Sequence, residues 1–257
     1  MLGLRLVLAG ACFLIGTALA CAGESDNALQ ARLSSDRLGH VETGAYQAGE
    51  EASFELGAAG STYLLRCNGS PEVFVLTPES APMGGRVLRY DSGETALQVS
   101  GWGGITFYTD ADPGGLPAVR TGTVPVFSLP SVSAEDIRAA ADDLADAIER
   151  TRRMSLAFSV DWSSVPDTSF ARARALDAME NIARGIERLG RSLRSRQILS
   201  RRISEVLIAR GATPAVKLSG KRLLITFNPE TGYEGRASSR AIASALGTLL
   251  GAPQKQS

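Results

Sequence analysis

Between Arg172 and Arg210 the chain carries 10 arginines against four acidic residues, Asp177, Glu180, Glu187 and Glu205. A guanidinium presents a planar fork of donors that fits carboxylate and phosphate. The run therefore nominates Arg184, Arg188, Arg191, Arg194, Arg196, Arg201 and Arg202 as a partner surface. Its complement would be phosphorylated lipid headgroups, an acidic partner or the chain's own acidic half. The competing reading is a solubilising face, because 24 of the 27 basic residues are Arg. Glu180–Arg184 and Glu187–Arg191 also stand four apart and neutralise part of it. A second candidate is the loop "NPETGYEGRASS" (228–239), where Glu234, Arg236 and Ser238 precede a helix N-terminus able to hold an anion. Gly232 and Gly235 suit a plain connector as well.

Other chemistries find little support. His40 is the only histidine, so a Ser-His-Asp set would have to use it, and no G-x-S-x-G turn accompanies it. One histidine cannot build a histidine-rich zinc site, and no phosphate loop or dinucleotide fingerprint is present. No catalytic residue, metal ligand or cofactor is assigned. Asp110 and Asp112 have the spacing of a calcium loop but lack its later ligands and closing Glu, so turn chemistry explains "TDADPGG". Cys67 shares a strand face with Tyr63 and Leu65, which makes it a buried, inert thiol. The carboxylates Asp91, Asp161 and Glu234 remain as an alternative hydrolytic set, provided that two of them face one another in a cleft.

The start of the chain sets the compartment. Arg5, an apolar run from Leu6 to about Ala20 and the small triplet Ala18-Leu19-Ala20 have the layout of a secretory signal over residues 1–22, cut near Ala20 and Ala22. The alternatives are a retained anchor helix and a lipid on Cys21 that would hold the protein to a membrane. The expected location is the periplasm, with an envelope protein or anionic surface as partner. Export disfavours nucleic acid, and no transmembrane helix is expected once the signal is removed.

Two halves must position these residues. Residues 23–130 hold 6 Lys+Arg against 13 Asp+Glu, whereas residues 131–257 hold 20 against 14. After a flexible segment (23–42), an acidic β unit (43–128) shows period-two alternation from about Ala52, through "STYLLRC", "EVFVLT", "RVLRYD", "TALQVS" and "GITFYT". Asn68-Gly69, Gly84-Gly85, Ser92-Gly93 and Gly103-Gly104 supply its tight turns. This predicts an antiparallel meander folded as a small sandwich or open barrel.

The basic α/β unit (129–252) opens with a capping box at Ser133 and Asp136 and an apolar stripe of Ile137, Ala141, Leu144 and Ile148. A strand at 155–162 leads to a helix capped by Asp167 or Ser169. A further helix runs up to Gly211 after a break near Arg194-Ser195. A hairpin turning at Ser219-Gly220 and a last helix capped by Ser238 or Ser239 complete β-α-α-β-β-α, with a three-stranded sheet and a disordered tail (253–257). The overall class is α+β.

The phrases "LLRCNGSPEVFVLTPESAPMGGRVLRYDSGETALQVSGWGGITFYT" and "GKRLLITFNPETGYEGRASS" resemble a family of uncharacterised exported bacterial proteins known as a domain of unknown function. The resemblance implies export and a whole-chain unit, and brings no activity with it. The expected function is a non-enzymatic binding or structural module of the cell envelope. The alternatives are a carboxylate hydrolase and a small-ligand carrier with an apolar pocket inside the β unit.

Overall fold

The computed structural model describes residues 41–124 and 126–251. Alternating apolar and polar residues build β1 (Gly44–Ala48), β2 (Ala52–Ala59), β3 (Thr62–Cys67), β4 (Val73–Ser80), β5 (Arg86–Tyr90), β6 (Thr95–Val99), β7 (Ile105–Phe107) and β8 (Leu116–Gly122). Each pairs antiparallel with the next, and β8 returns to β1, so the meander closes into a barrel. Closure depends on the two strands that the alternation did not reveal. β1 (GAYQA) has no β-branched residue, and β8 (LPAVRTG) carries Pro117 within a stretch that reads as turn. Pro117 is tolerated because it serves as an acceptor, taking the Gly49 N–H at 3.2 Å.

At eight strands a barrel is about wide enough for its own side chains. Phe54, Leu56, Leu65, Leu76, Leu88, Leu97 and Phe107 fill it. Tyr46 stacks on Phe54 at 5.0 Å, and Phe54 leans on Phe107 at 4.5 Å. Gly69, at φ +75°, makes the β3–β4 turn that Asn68-Gly69 announces.

Ser133 and Asp136 exchange the two bonds of a capping box and start α1 (Ala134–Arg152). There follow β9 (Ala157–Val160), α2 (Ser169–Leu189), α3 (Leu193–Arg202), β10 (Glu205–Arg210), β11 (Ala215–Ser219), β12 (Arg222–Phe227) and α4 (Ser239–Leu250). The sheet order is β11-β12-β10-β9, with β10 parallel to both neighbours and β11 antiparallel to β12.

Three expectations are corrected here. The sheet has four strands, because residues 205–210 form β10 and do not prolong a helix. Val206 and Ile208 alternate into the core on either side of Leu207, and their branched side chains suit a pleated surface. The helix break falls at Gly190–Ser192, where the Ser192 side chain accepts the Ser195 N–H and restarts the backbone as α3. Thr168, and neither Asp167 nor Ser169, caps α2.

The helices cover one face of the sheet. Val206, Ile208, Leu223, Ile225 and Phe227 share a core with Met179, Ile182, Ile186, Ile242 and Leu246. α2 and α4 approach closely at Gly185, where a Cβ would stand 2.7 Å from Ile242. Among the described residues no helix is long and apolar enough to cross a membrane.

Candidate functional site

The first N–H groups of a helix lack intrahelical partners and favour negative charge. At α4 that charge comes from the barrel. Ser238 caps the helix by accepting the Ala241 N–H, and donates its own N–H and hydroxyl to the Asp91 carboxylate. Ser239 donates its N–H and hydroxyl, each at 2.7 Å, to the two oxygens of the buried Glu72. The groups that occupy the start of α4 are thus carboxylates of the chain itself.

The other two candidates of the loop before α4 are engaged in the same joint. Arg236 turns inward, 2.5 Å from Asp177, and donates to the Val73 carbonyl at 2.6 Å. Glu234 accepts the Thr62 hydroxyl at 2.7 Å. Beside Arg236, the Arg174 guanidinium lies between the rings of Phe170 (4.9 Å) and Tyr233 (4.8 Å). Its Nε and Nη1 are buried without a hydrogen-bond partner. Burial lowers the Arg174 pKa from its ordinary value, against the opposing pull of Tyr233 and Asp177.

Asp110, which sequence reasoning assigned to a turn, is the second tie between the halves. It accepts from Arg240 at 2.6 Å and from Arg188. Burial works to raise its pKa, but the two guanidiniums outweigh burial and hold the carboxyl below its ordinary value. Arg240 gives its other arm to Glu94 at 2.6 Å and lies 4.4 Å over the Tyr90 ring.

The arginine-rich run therefore divides. Arg184 is spent on Glu180 at 2.7 Å and Asn181 at 2.8 Å, and Arg188 on Asp110. Arg191 reaches Asp110 only at 3.9 Å and stays 65 % exposed. Arg194, Arg196, Arg201 and Arg202 on α3 have no acceptor among the described residues, and Leu193 beside them is 67 % exposed.

The carboxylates weighed for hydrolysis are held by three separate partners: Asp91 by Ser238, Asp161 by Ser163 and Glu234 by Thr62. His40, Ala20, Cys21 and Ala22 lie outside the described residues.

Side chains of all eight strands pack into the barrel's interior. A cavity of about 130 Å³ does open at the joint, lined by Cys67, Glu72, Tyr90, Phe107, Arg188 and Arg240 among others. Burial pushes the Cys67 thiol up to about 11, so it stays protonated at neutral pH. A shallower hollow of about 470 Å³ lies on the helix-free sheet face around Leu207 and Leu224.

A family model described as "Domain of unknown function (DUF4908)" matches residues 27–246, which take in all twelve strands of the described residues and both sides of the joint. The chain belongs to the DUF4908 family. No curated protein and no solved structure matches it. Within this DUF4908 chain, sequence reasoning missed Glu72, Asp177, Tyr90, Arg174 and Arg240. The charge asymmetry between the halves signalled the pairs of Arg240 with Glu94 and Asp110, but not Arg236–Asp177, whose members both lie in the basic half.

Proposed function

We propose that this DUF4908 chain is an exported module of the cell envelope that works by binding, holding an anionic surface against the arginines of α3. The observation that carries the reading is the contrast within one arginine run. Arg184 and Arg188 are satisfied inside the chain, whereas Arg194, Arg196, Arg201 and Arg202 have no acceptor among the described residues. Guanidiniums left together at a surface raise a field that attracts anions and falls off with salt. The separate tethering of Asp91, Asp161 and Glu234 speaks for binding over hydrolysis. The signal-like segment at residues 1–22 supports export, and Cys21 leaves lipid attachment as the finer question.

The test uses vesicles with and without anionic phospholipid, and immobilised polyglutamate. Reversing Arg194, Arg201 and Arg202 to Glu should reduce retention on the anionic phases roughly tenfold, an effect that high salt reproduces in the wild type. Unchanged retention removes the reading. Intact-mass measurement on protein from fractionated cells tests export. A species starting near Ala20 to Ala22, with or without acyl mass, is expected, and full-length chain in the cell interior overturns it.

A further inference from the structure

In an up-and-down barrel the connections alternate between the two ends. Those carrying Glu72, Asp91 and Asp110 meet the helical half, which leaves the β2–β3, β4–β5 and β6–β7 connections at the opposite end. Two of these are built to one plan. APMGG (81–85) and SGWGG (100–104) are five-residue turns, each closed by a bond from its first N–H to its fifth carbonyl, at 2.9 and 2.8 Å. Each has a glycine at positive φ in fourth place and its one large apolar residue in third place, Met83 and Trp102. The turns lie against one another, since a Cβ on Gly101 would collide with the Met83 carbonyl. Both side chains nevertheless face water, Met83 at 87 % and Trp102 at 81 % exposure. Met83 also holds φ +56°, a left-handed conformation that is unfavourable for a residue with a Cβ. The fold thus bears an unfavourable backbone to carry an apolar side chain that it does not bury.

The charges around the tips fit one kind of surface. Neither turn contains a charged residue. Beside them Arg86 is exposed and has no ion pair among the described residues, whereas Glu79 is neutralised by Arg89 at 2.7 Å. An indole settles at the headgroup level of a bilayer, where its ring is in apolar surroundings and its N–H stays wet. A neighbouring guanidinium fits lipid phosphate. We infer that this end of the barrel docks on a lipid bilayer, with Trp102 and Met83 inserted at the headgroup boundary and Arg86 against the phosphates. The chain also enters β1 at this end, at Gly44, so the apolar run from Leu6 to Ala20 and Cys21 are joined to the barrel on its lipid side. That last link rests on the envelope reading above; the two tips, which lie away from the α3 arginines in the sequence and the fold, do not.

The experiment reads the indole itself. The chain has two tryptophans, so Trp162→Phe in the full chain makes Trp102 the sole reporter. The protein is mixed with neutral phosphatidylcholine vesicles in high salt, where the α3 arginines are screened and failure of the anionic-surface reading leaves the signal untouched. Trp102 emission should move to the blue, and lipids brominated near the headgroup should quench it. Binding through residues 1–22 alone would bring the chain to the vesicle and leave Trp102 in water, so it cannot mimic the result. Met83→Asn keeps the left-handed turn, which asparagine tolerates, and removes the apolar side chain. It should lower the ratio of quenched to unquenched Trp102, read from fluorescence lifetimes, about tenfold, the worth of burying one such side chain. If Trp162→Phe folds poorly, the difference spectrum between wild type and Trp102→Ser gives the same reading. Trp102 emission unmoved and unquenched overturns the inference and turns the search to an apolar protein partner. Quenching that is unchanged in Met83→Asn overturns it as well.

Discussion

Arg236 and Asp177 meet at 2.5 Å with side chains only 1 % and 9 % exposed, an ion pair shut into the joint between barrel and helices. Its Nη2 also reaches the Val73 carbonyl, so one guanidinium ties α2 to the start of β4. Around it, Glu72 and Asp91 meet Ser239 and Ser238, and Asp110 meets Arg188 and Arg240. The joint therefore combines directional polar bonds with a small apolar cluster of Leu64, Val73 and Tyr233.

Breaking the central pair should be expensive. Arg236→Met leaves the Asp177 carboxylate buried and unpaired, which costs about 3–5 kcal/mol. Urea denaturation should show this loss, and the double variant Arg236→Met with Asp177→Leu should recover most of it, because neither member of the pair is left without the other.

Arg174 gives the opposite expectation. Its Nε and Nη1 already lack partners, so Arg174→Met orphans nothing. The loss of cation–π contact, about 1–2 kcal/mol, is set against relief of unsatisfied donors worth about 1–3 kcal/mol. Stability should stay within about 1 kcal/mol of wild type, a difference from Arg236→Met that the same urea titration resolves.

Asp110 supplies the pH dependence. Its folded pKa lies below the ordinary value, so the stability it adds is complete above the unfolded pKa and is lost as pH falls through the folded one. Thermal melts of wild type and Asp110→Asn should differ at neutral pH. The gap should begin to close as the pH drops through about 4 and vanish below the folded value. Salt should narrow it as well, because the carboxylate is 41 % exposed.

Gly185 sets the distance between α2 and α4. Alanine favours a helix over glycine by about 1 kcal/mol, yet its Cβ would stand 2.7 Å from Ile242 and 3.1 Å from the Ser239 carbonyl. Overpacking of this kind costs about 1–3 kcal/mol, so Gly185→Ala should lower the melting temperature despite the gain in propensity.

Much of the scaffold is legible in the residue pattern. Strands β2 to β7 follow from period-two alternation and glycine turns, and the capping box at Ser133 and Asp136 forms as its spacing requires. β1 and β8 are not legible because a barrel's closing pair is fixed by register with each other, and Pro117 argues locally for a turn. β10 is hidden because Ile203, Val206 and Leu207 also fit helical spacing, and only pairing to β9 and β12 decides between the two periods. The joint is the least legible part. Glu72, Asp91 and Asp110 look like ordinary surface carboxylates until the fold brings serines and arginines more than 70 residues away against them.

The clasp between Glu72 and Ser239 spans 167 residues. Synthesis runs from the barrel toward α4, so the ribosome releases the barrel's carboxylates long before it makes the serines that answer them. A nascent or prematurely terminated chain carries an open seam at the barrel end, exposing the Glu72 carboxylate that the folded chain buries. Emergence of α4 is then the step that closes this seam.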